Sequence, residues 1–281
     1  MAVPNLSEIV TTTLRNRSGE FADNITNDLA LLRRLEQRGN VKPADGGRTL
    51  VQELEYAENS TFQYYSGYEV LNVAPSEVFS AAEFNWKQAA VNVTWSGLEA
   101  DIQNAGREKV IDLLEGRIGN AKRTMSNNLS TGIFSDGTGS SSKQVGGLQS
   151  LVADAPATGT VGGINRATYS FWRNQVYDFS DESVTPSDST IQKAMRTLYL
   201  SCKKGSSATE APDFAVAGTS YFEFFWNSLT TIQRITTDDT GTAGFDSLKF
   251  RKADVFHDED CNTARMYMLN TQYIFWRPHR N

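Results

Sequence analysis

GGRTLVQELEYAENSTFQYYSGYEVL, residues 46 to 71, reads as a long two-stranded ribbon, with β-prone runs on either side of the polar break AENST at 57–61. The stretch holds four tyrosines, one phenylalanine and four glutamates, and neither face is clean enough to pack onto a core. A lone hairpin is marginal in water, because it needs a third strand or a helix to lie on. The ribbon therefore demands a support, and the rest of its own chain is not expected to supply one.

The flanking segments give it little. Residues 1–40 read as a helical arm. Ser7 caps a short helix carrying Ile9, Val10 and Leu14, and a second helix spaces Phe21, Ile25, Leu29 and Leu32 before closing on Gly39. Pro43 and Gly46-Gly47 break the chain before the ribbon. After it, APSEVFSAAEFNWKQ (74–88) is expected to form one or two helical turns. AAVNVTWSG (89–97) alternates Val91, Val93 and Trp95 against Asn92 and Thr94, a strand signature.

The strongest helix spans about residues 107–130, where Ile111, Leu114, Ile118, Ala121, Met125 and Leu129 form one apolar stripe. SDGTGSSSKQVGG (135–147) has the glycine and serine content of a flexible loop. A second α/β region follows. It holds a short apolar segment LQSLVA, an aromatic stretch at 167–179 and a capped helix within 186–202. DFAVAG (213–218) reads as a buried strand and 220–235 as an aromatic helix. ARMYMLNTQYIFWRP (264–278) reads as a strand pair or one long strand.

Composition narrows the class. The chain has 281 residues, 39% apolar and 21% charged, and a net charge of −6. That is an ordinary globular balance, without the basic footprint of sequence-specific nucleic-acid binding. No apolar run approaches a membrane span, so no membrane partner is expected. Cys202 and Cys261 lie far apart and have no CxxC partner, which speaks against a disulfide framework. Charge is unevenly spread: residues 46–75 hold four glutamates and one arginine, whereas 265–281 hold three arginines and no acid.

Catalytic and cofactor signals are poor. FHDEDC (256–261) gathers a histidine, three acids and a cysteine, but consecutive polar residues cannot all point inward, which favours a solvated turn over a metal site. GTGSSSKQ (137–144) lacks the Gly-Lys-Ser/Thr order of a phosphate-binding loop. DDTGTAGFD (238–246) lacks the alternating oxygen ligands of a calcium loop. Glu53 and Glu55 share one strand face. A paired-carboxylate role is open to them, although a solvated acidic edge is the simpler reading. Cys202 beside Lys203 and Lys204 reads as a structural thiol, and the aromatic residues of YFEFFWNS (221–228) read as a buried helix face. No catalytic, cofactor or metal residue is assigned, and the chain is read as a non-enzyme. A hydrolase using the acids around His257 is the distant alternative.

The order of parts carries a resemblance. PNLSEIVTTTLRNRSG (4–19), the ribbon at 48–69, SEVFSAAEFNWKQAAVNVTWSGLE (76–99), IDLLEGRIGNAKRTMSNNLSTGIFSDGT (111–138), GGLQSLVA (146–153) and TVGGINRATYSFWRNQ (160–175) together resemble the major capsid proteins of tailed bacteriophages with the Hong Kong 97-type fold. The resemblance implies an α+β subunit. Residues 1–43 would be the N-terminal arm, and 44–75 an extended hairpin loop lying across an adjacent subunit. Residues 76–145 would form a peripheral domain with a spine helix at about 107–130. Residues 146–281 would form an axial domain whose last strand region returns toward the peripheral domain.

The function implied is a self-assembling icosahedral head shell enclosing double-stranded DNA. An encapsulin-type protein nanocompartment is the alternative with the same fold. The partners implied are many copies of the same chain in hexamers and pentamers, a separate scaffolding protein, a portal, and DNA contacted non-specifically. Cementing proteins on the outside are compatible with it. The location implied is the virion, assembled in the host bacterial cytoplasm. Glu53, Glu55, Glu58, Phe62, Tyr64, Tyr65 and Tyr68 of the ribbon, with Arg117, Lys122 and Arg123 of the long helix, would then be intersubunit contacts. The glutamates would meet bases on a neighbour, and the aromatics would supply contact area.

Overall fold

A computed structural model describes residues 30–94, 113–205, 210–229 and 247–280. The helix expected after Ser7, most of the expected second arm helix, Trp95 of the expected strand, the expected start of the long helix and the stretch 238–246 lie outside these residues. The described residues fall into two compact units, 88–133 in the first and 30–87 with 134–280 in the second.

The second unit is built on a four-stranded mixed sheet. Its strands are β5 (Phe214–Ala217), β6 (Ser247–Phe250), β7 (Ala253–His257) and β8 (Met266–Leu269), ordered β6-β7-β5-β8. β5 runs parallel to β7 and antiparallel to β8, and β6 pairs antiparallel with β7. FAVA is apolar at every position and wholly buried, as a central strand covered on both faces must be.

The two faces separate by the period of two. Ala215, Leu248 and Val255 meet the helices α3 (Ile191–Cys202) and α4 (Thr219–Ser228), forming a core with Phe179, Met195 and Phe225. Phe225 and Tyr199 each set a ring edge against Phe250, at 6.0 and 6.2 Å. On the opposite face Phe214 stacks on Phe256 at 5.1 Å. Here α1 (Ala30–Gln37) delivers Arg34 to Asp254 at 3.4 Å, so the sheet is sandwiched between helices. The helix expected within 186–202 is present as Ile191–Cys202, without the side-chain cap expected of it, and the strand expected at 213–218 is present as Phe214–Ala217. In the aromatic helix, which ends at Ser228 short of the expected 235, Phe225 is fully buried and Tyr221 and Phe224 of the expected face pack against the same core, joined by Phe222 and Trp226 from outside that face.

Asp213 ties α1 and the segment after β8 to this sheet. Its carboxylate, almost fully buried, accepts from the Thr271 backbone N–H at 2.7 Å and the Thr271 hydroxyl at 2.8 Å. Arg38 meets it at 2.5 Å and Arg34 at 3.8 Å. Gly39 (φ +69°) closes α1 in the left-handed region, and the Asn40 N–H reaches back to the Leu35 carbonyl at 2.8 Å. Residues 41–44 then run parallel to 276–279, bridging Val41 to Trp276 and Ala44 to His279. The segment read as one long strand or a strand pair is therefore three pieces: β8, a 3-10 turn at Thr271–Tyr273, and this strap.

Further expectations differ from the structure. The ribbon's second strand is not FQYYSGYEVL. Strand β1 (Thr49–Glu55) pairs antiparallel with β2 (Phe79–Asn85), running from Thr49↔Asn85 to Glu55↔Phe79. The residues expected to form helical turns are thus a strand. FSAAEFN has helix-forming composition, and cross-strand pairing overrides that weak local preference. Val91 and Val93, expected in a strand, lie in none. The Gly-Ser stretch at 135–147 is not featureless: Gly139–Ser142 makes one turn, with Ser140, Ser141 and Ser142 all at positive φ. The long helix α2 (Leu113–Ile133) runs three residues past its expected end. Its stripe is only partly covered, with Ile118 exposed and Met125 and Leu129 half-buried.

Candidate functional site

The β1–β2 ribbon has two unlike faces. Leu50, Gln52 and Leu54 line one face of β1 opposite Ala82 and Phe84 of β2, and Ala82 is wholly buried. Val51, Glu53 and Glu55 line the other, beside exposed Phe79, Ala81 and Glu83. The inner face rests on the turn between β3 (Thr160–Val161) and β4 (Ile164–Asn165). There the Glu83 N–H donates to the Gly162 carbonyl at 2.9 Å. Gly162 has φ +58°, and a Cβ on it would lie 2.9 Å from the Ala82 Cβ and 3.0 Å from Phe84 Cζ. Only glycine lets the ribbon approach so closely.

The C-terminal strap braces the same root. Arg277 donates from Nη1 to the Val51 carbonyl at 3.3 Å and from Nη2 to Gln52 Oε1 at 2.6 Å. Trp86 Nε1 donates to the Gly47 carbonyl at 2.9 Å, and its ring meets His279 edge-on at 5.9 Å. Tyr56 stacks on Phe171 at 4.9 Å. The root is therefore supported by its own chain, which corrects the expectation that the ribbon has nothing to lie on there; the pattern of 46–71 does not disclose this support. Gly162, Arg277, Trp86 and Phe171 are the residues sequence reasoning missed. The excess of arginines after residue 265 was the one available signal.

Beyond Tyr56 the ribbon opens into an irregular loop. Its neck is closed by Ser60 and Ser76, whose hydroxyls are 3.2 Å apart. Distal to the neck, Tyr64 is 92% exposed, Tyr68 105%, Val70 93% and Val73 91%, and Phe62 and Tyr65 are also exposed. Phe62 and Tyr64 touch edge to face at 5.2 Å, and Ser66 and Glu69 close a small turn around Gly67. So many solvent-facing aromatic and aliphatic groups in one loop exceed the scattered apolar exposure ordinary for a lone soluble chain.

Glu53, Glu55 and Glu58 are all exposed, and among the described residues none of them makes an ion pair. Arg117 of α2 donates to the Thr94 carbonyl at 2.9 Å, and Lys122 is exposed. Arg123 is half-buried on the same helix.

The chemical candidates do not converge on a reactive centre. Among the described residues no group of three His, Cys, Asp or Glu side chains is placed to hold a metal. FHDEDC is only partly the solvated turn expected, because Asp258 and Cys261 are buried. This loop wraps the end of β5, where the Gly218 N–H donates to the Arg265 carbonyl at 2.9 Å. Burial pushes the Asp258 carboxyl up to about 6. The Asp260 N–H counteracts this, while the charges of Asp260 and Glu259 add to it. Burial, reinforced by Asp258, pushes the Cys261 thiol up to about 12. Burial also raises Cys202, the opposite of an activated thiolate.

No family model matches the chain, and no curated protein matches it. Among solved structures, the chain is similar in fold to the cyanophage A-1(L) capsid asymmetric unit, with a TM-score of 0.62 at 16% identity, covering 92% of this chain and 77% of that one. The mixed α/β architecture described above is thus shared with a phage capsid structure along nearly its whole length.

Proposed function

We propose that this chain is the major capsid protein of a tailed bacteriophage, with the Hong Kong 97-type fold, and that it self-assembles into an icosahedral head enclosing double-stranded DNA. The observation that carries the reading is the ribbon. Its root is fixed to its own lobe, while its distal loop holds fully exposed aromatic and aliphatic side chains on a chain that shares its fold with a capsid subunit. In this reading residues 1–43 are the arm, 44–75 with β2 the extended loop, α2 the spine helix and the four-stranded sheet the axial domain. Phe62, Tyr64, Tyr65 and Tyr68 are buried only when a second copy arrives. Glu53, Glu55 and Glu58 find bases there, with Arg117, Lys122 and Arg123 the candidates. Scaffolding protein and portal are separate chains, and DNA is held without base-specific contacts. The role is structural, not enzymatic.

Expression of the whole chain followed by sedimentation and electron microscopy tests this. Polyhedral shells are expected, and nuclease-protected DNA inside particles from infected cells would distinguish a virus head from a protein nanocompartment. A chain that stays monomeric under all conditions refutes it. Replacing residues 61–75 by a short turn across the Ser60–Ser76 neck should leave the lobe folded and abolish shells.

A further inference from the structure

An acidic block precedes α3 and a basic block runs along it to just past its end. Residues 178–188 contain four acids and no base (Asp178, Asp181, Glu182 and Asp188). Residues 193–204 contain four bases and no acid; Lys193 lies in the first turn, near the acidic loop, while Arg196, Lys203 and Lys204 lie toward the other end. Phe179 is buried in the core and sets its ring 5.8 Å from Tyr221, which pins the acidic loop at the N-terminal end of α3. At the other end, Arg251 from the β6–β7 turn lies over the ring of Tyr199 at 5.4 Å, adding to the positive charge of Lys203 and Lys204. A 12-residue helix places the two ends about 18 Å apart.

The four acids are exposed, as are Arg196, Lys204 and Arg251. Among the described residues none of these groups is in an ion pair. Leu200, 54% exposed, sits between Arg196 and Lys203 on one side of α3, and Val176, 43% exposed, precedes the acidic loop. The helix dipole accounts for an acid before the first turn and bases after the last, but it fades within one turn. It explains neither Arg196 in mid-helix nor Arg251 on another element.

We propose that the basic end of this lobe receives the acidic end of the next copy, head to tail, so that copies close into a ring. The inference rests on the shell reading and goes beyond it by naming the two faces. A contact between two different patches of one chain is heterologous, and such contacts generate rings when the rotation closes. The charges set register and encounter rate, with Leu200 and Val176 inside the charged rim.

Charge reversal in the whole chain tests it. Arg196→Glu/Lys203→Glu/Lys204→Glu and Asp178→Lys/Asp181→Lys/Glu182→Lys should each lower the yield of sedimenting particles by roughly tenfold or more. The lobe's melting transition should persist in both. Combining the six changes in one chain should restore assembly, because the contact is then complementary with its signs exchanged. Glutamine at 196, 203 and 204 gives a milder variant, whose remaining assembly should lose the wild-type dependence on salt.

Wild-type yields from the single reversals, or a combined variant no better than either parent, would overturn the proposal. So would normal shells that lose only their DNA when the basic block is reversed, since that places nucleic acid on this face. If the wild-type chain makes no shells, the shell reading fails by itself. The ring contact is then judged by light scattering at low salt, where self-association abolished by both reversals supports it and its absence refutes it.

Discussion

Asp258 offers a quantitative test of the lobe that does not depend on assembly. It lies just past β7, 7% exposed, with its carboxyl accepting the Asp260 N–H at 3.0 Å. Burial, foremost, moves its pKa from 3.8 to about 6. A folded state with the higher pKa holds the proton more tightly than the unfolded chain. The stability this contributes is complete below pH 3.8 and is lost as pH climbs through about 6. At about 1.4 kcal/mol per pH unit the full loss is of order 3 kcal/mol. Asp258→Asn removes the titration and keeps an oxygen to accept from Asp260. Urea denaturation followed by tryptophan fluorescence at pH 4, 6 and 7.5 should show the variant gaining on the wild type as pH rises, by about 2–3 kcal/mol across the range. An unpaired amide proton adds a constant offset of about 1 kcal/mol and leaves the slope unchanged. A difference between the two proteins that is flat from pH 4 to 7.5, or that moves the other way, refutes the reasoning.

Three other outcomes follow from the geometry. Asp213→Ala leaves Arg34 and Arg38 facing an empty site and removes the acceptor for two Thr271 groups; a loss of about 3–5 kcal/mol is expected by denaturant titration. Gly162→Ala puts a methyl into Ala82 and Phe84 at a positive φ. It should cost about 1–3 kcal/mol and raise amide exchange selectively across β1 and β2, which makes exchange mass spectrometry the check. Cys261, raised to about 12 and buried, should stay unmodified by a thiol reagent at pH 8 in the native protein and react fully once unfolded.

The sequence was most readable where one local pattern sufficed. FAVA is apolar at every position, and only a doubly covered central strand makes use of that. The apolar spacing from Ile191 to Leu198 specifies one face of α3. It was least readable where pairing is decided far along the chain. Nothing in FSAAEFN says strand until β1 lies beside it, and nothing in 46–71 says that its partner begins at Phe79. Asp213 is one aspartate before an apolar run; its partners Arg34, Arg38 and Thr271 lie 179, 175 and 58 positions away, beyond the reach of any periodicity. The exposed tip was legible as composition, in its tyrosines and glutamates, but not as geometry.

That division of the ribbon has an energetic consequence for the shell reading. A free hairpin loses much of its binding energy in becoming ordered. Here Gly162, Arg277 and Trp86 hold β1 and β2 in place before any partner arrives, so a neighbour meets strands already formed. The gain then comes from the tip. Burying five or so groups such as Phe62, Tyr64, Tyr68, Val70 and Val73 at about 1.5–3 kcal/mol each amounts to roughly 10 kcal/mol gross. Fixing two molecules together costs a comparable 4–15 kcal/mol or so. One tip contact alone therefore leaves a pair of copies weakly associated. Each added copy that makes a second contact, at a charged end of the lobe for instance, meets a partner whose freedom is already lost. Association of this kind is poor for dimers and strong for closed arrays, so subunits should pass from free chains to complete assemblies with few stable intermediates between.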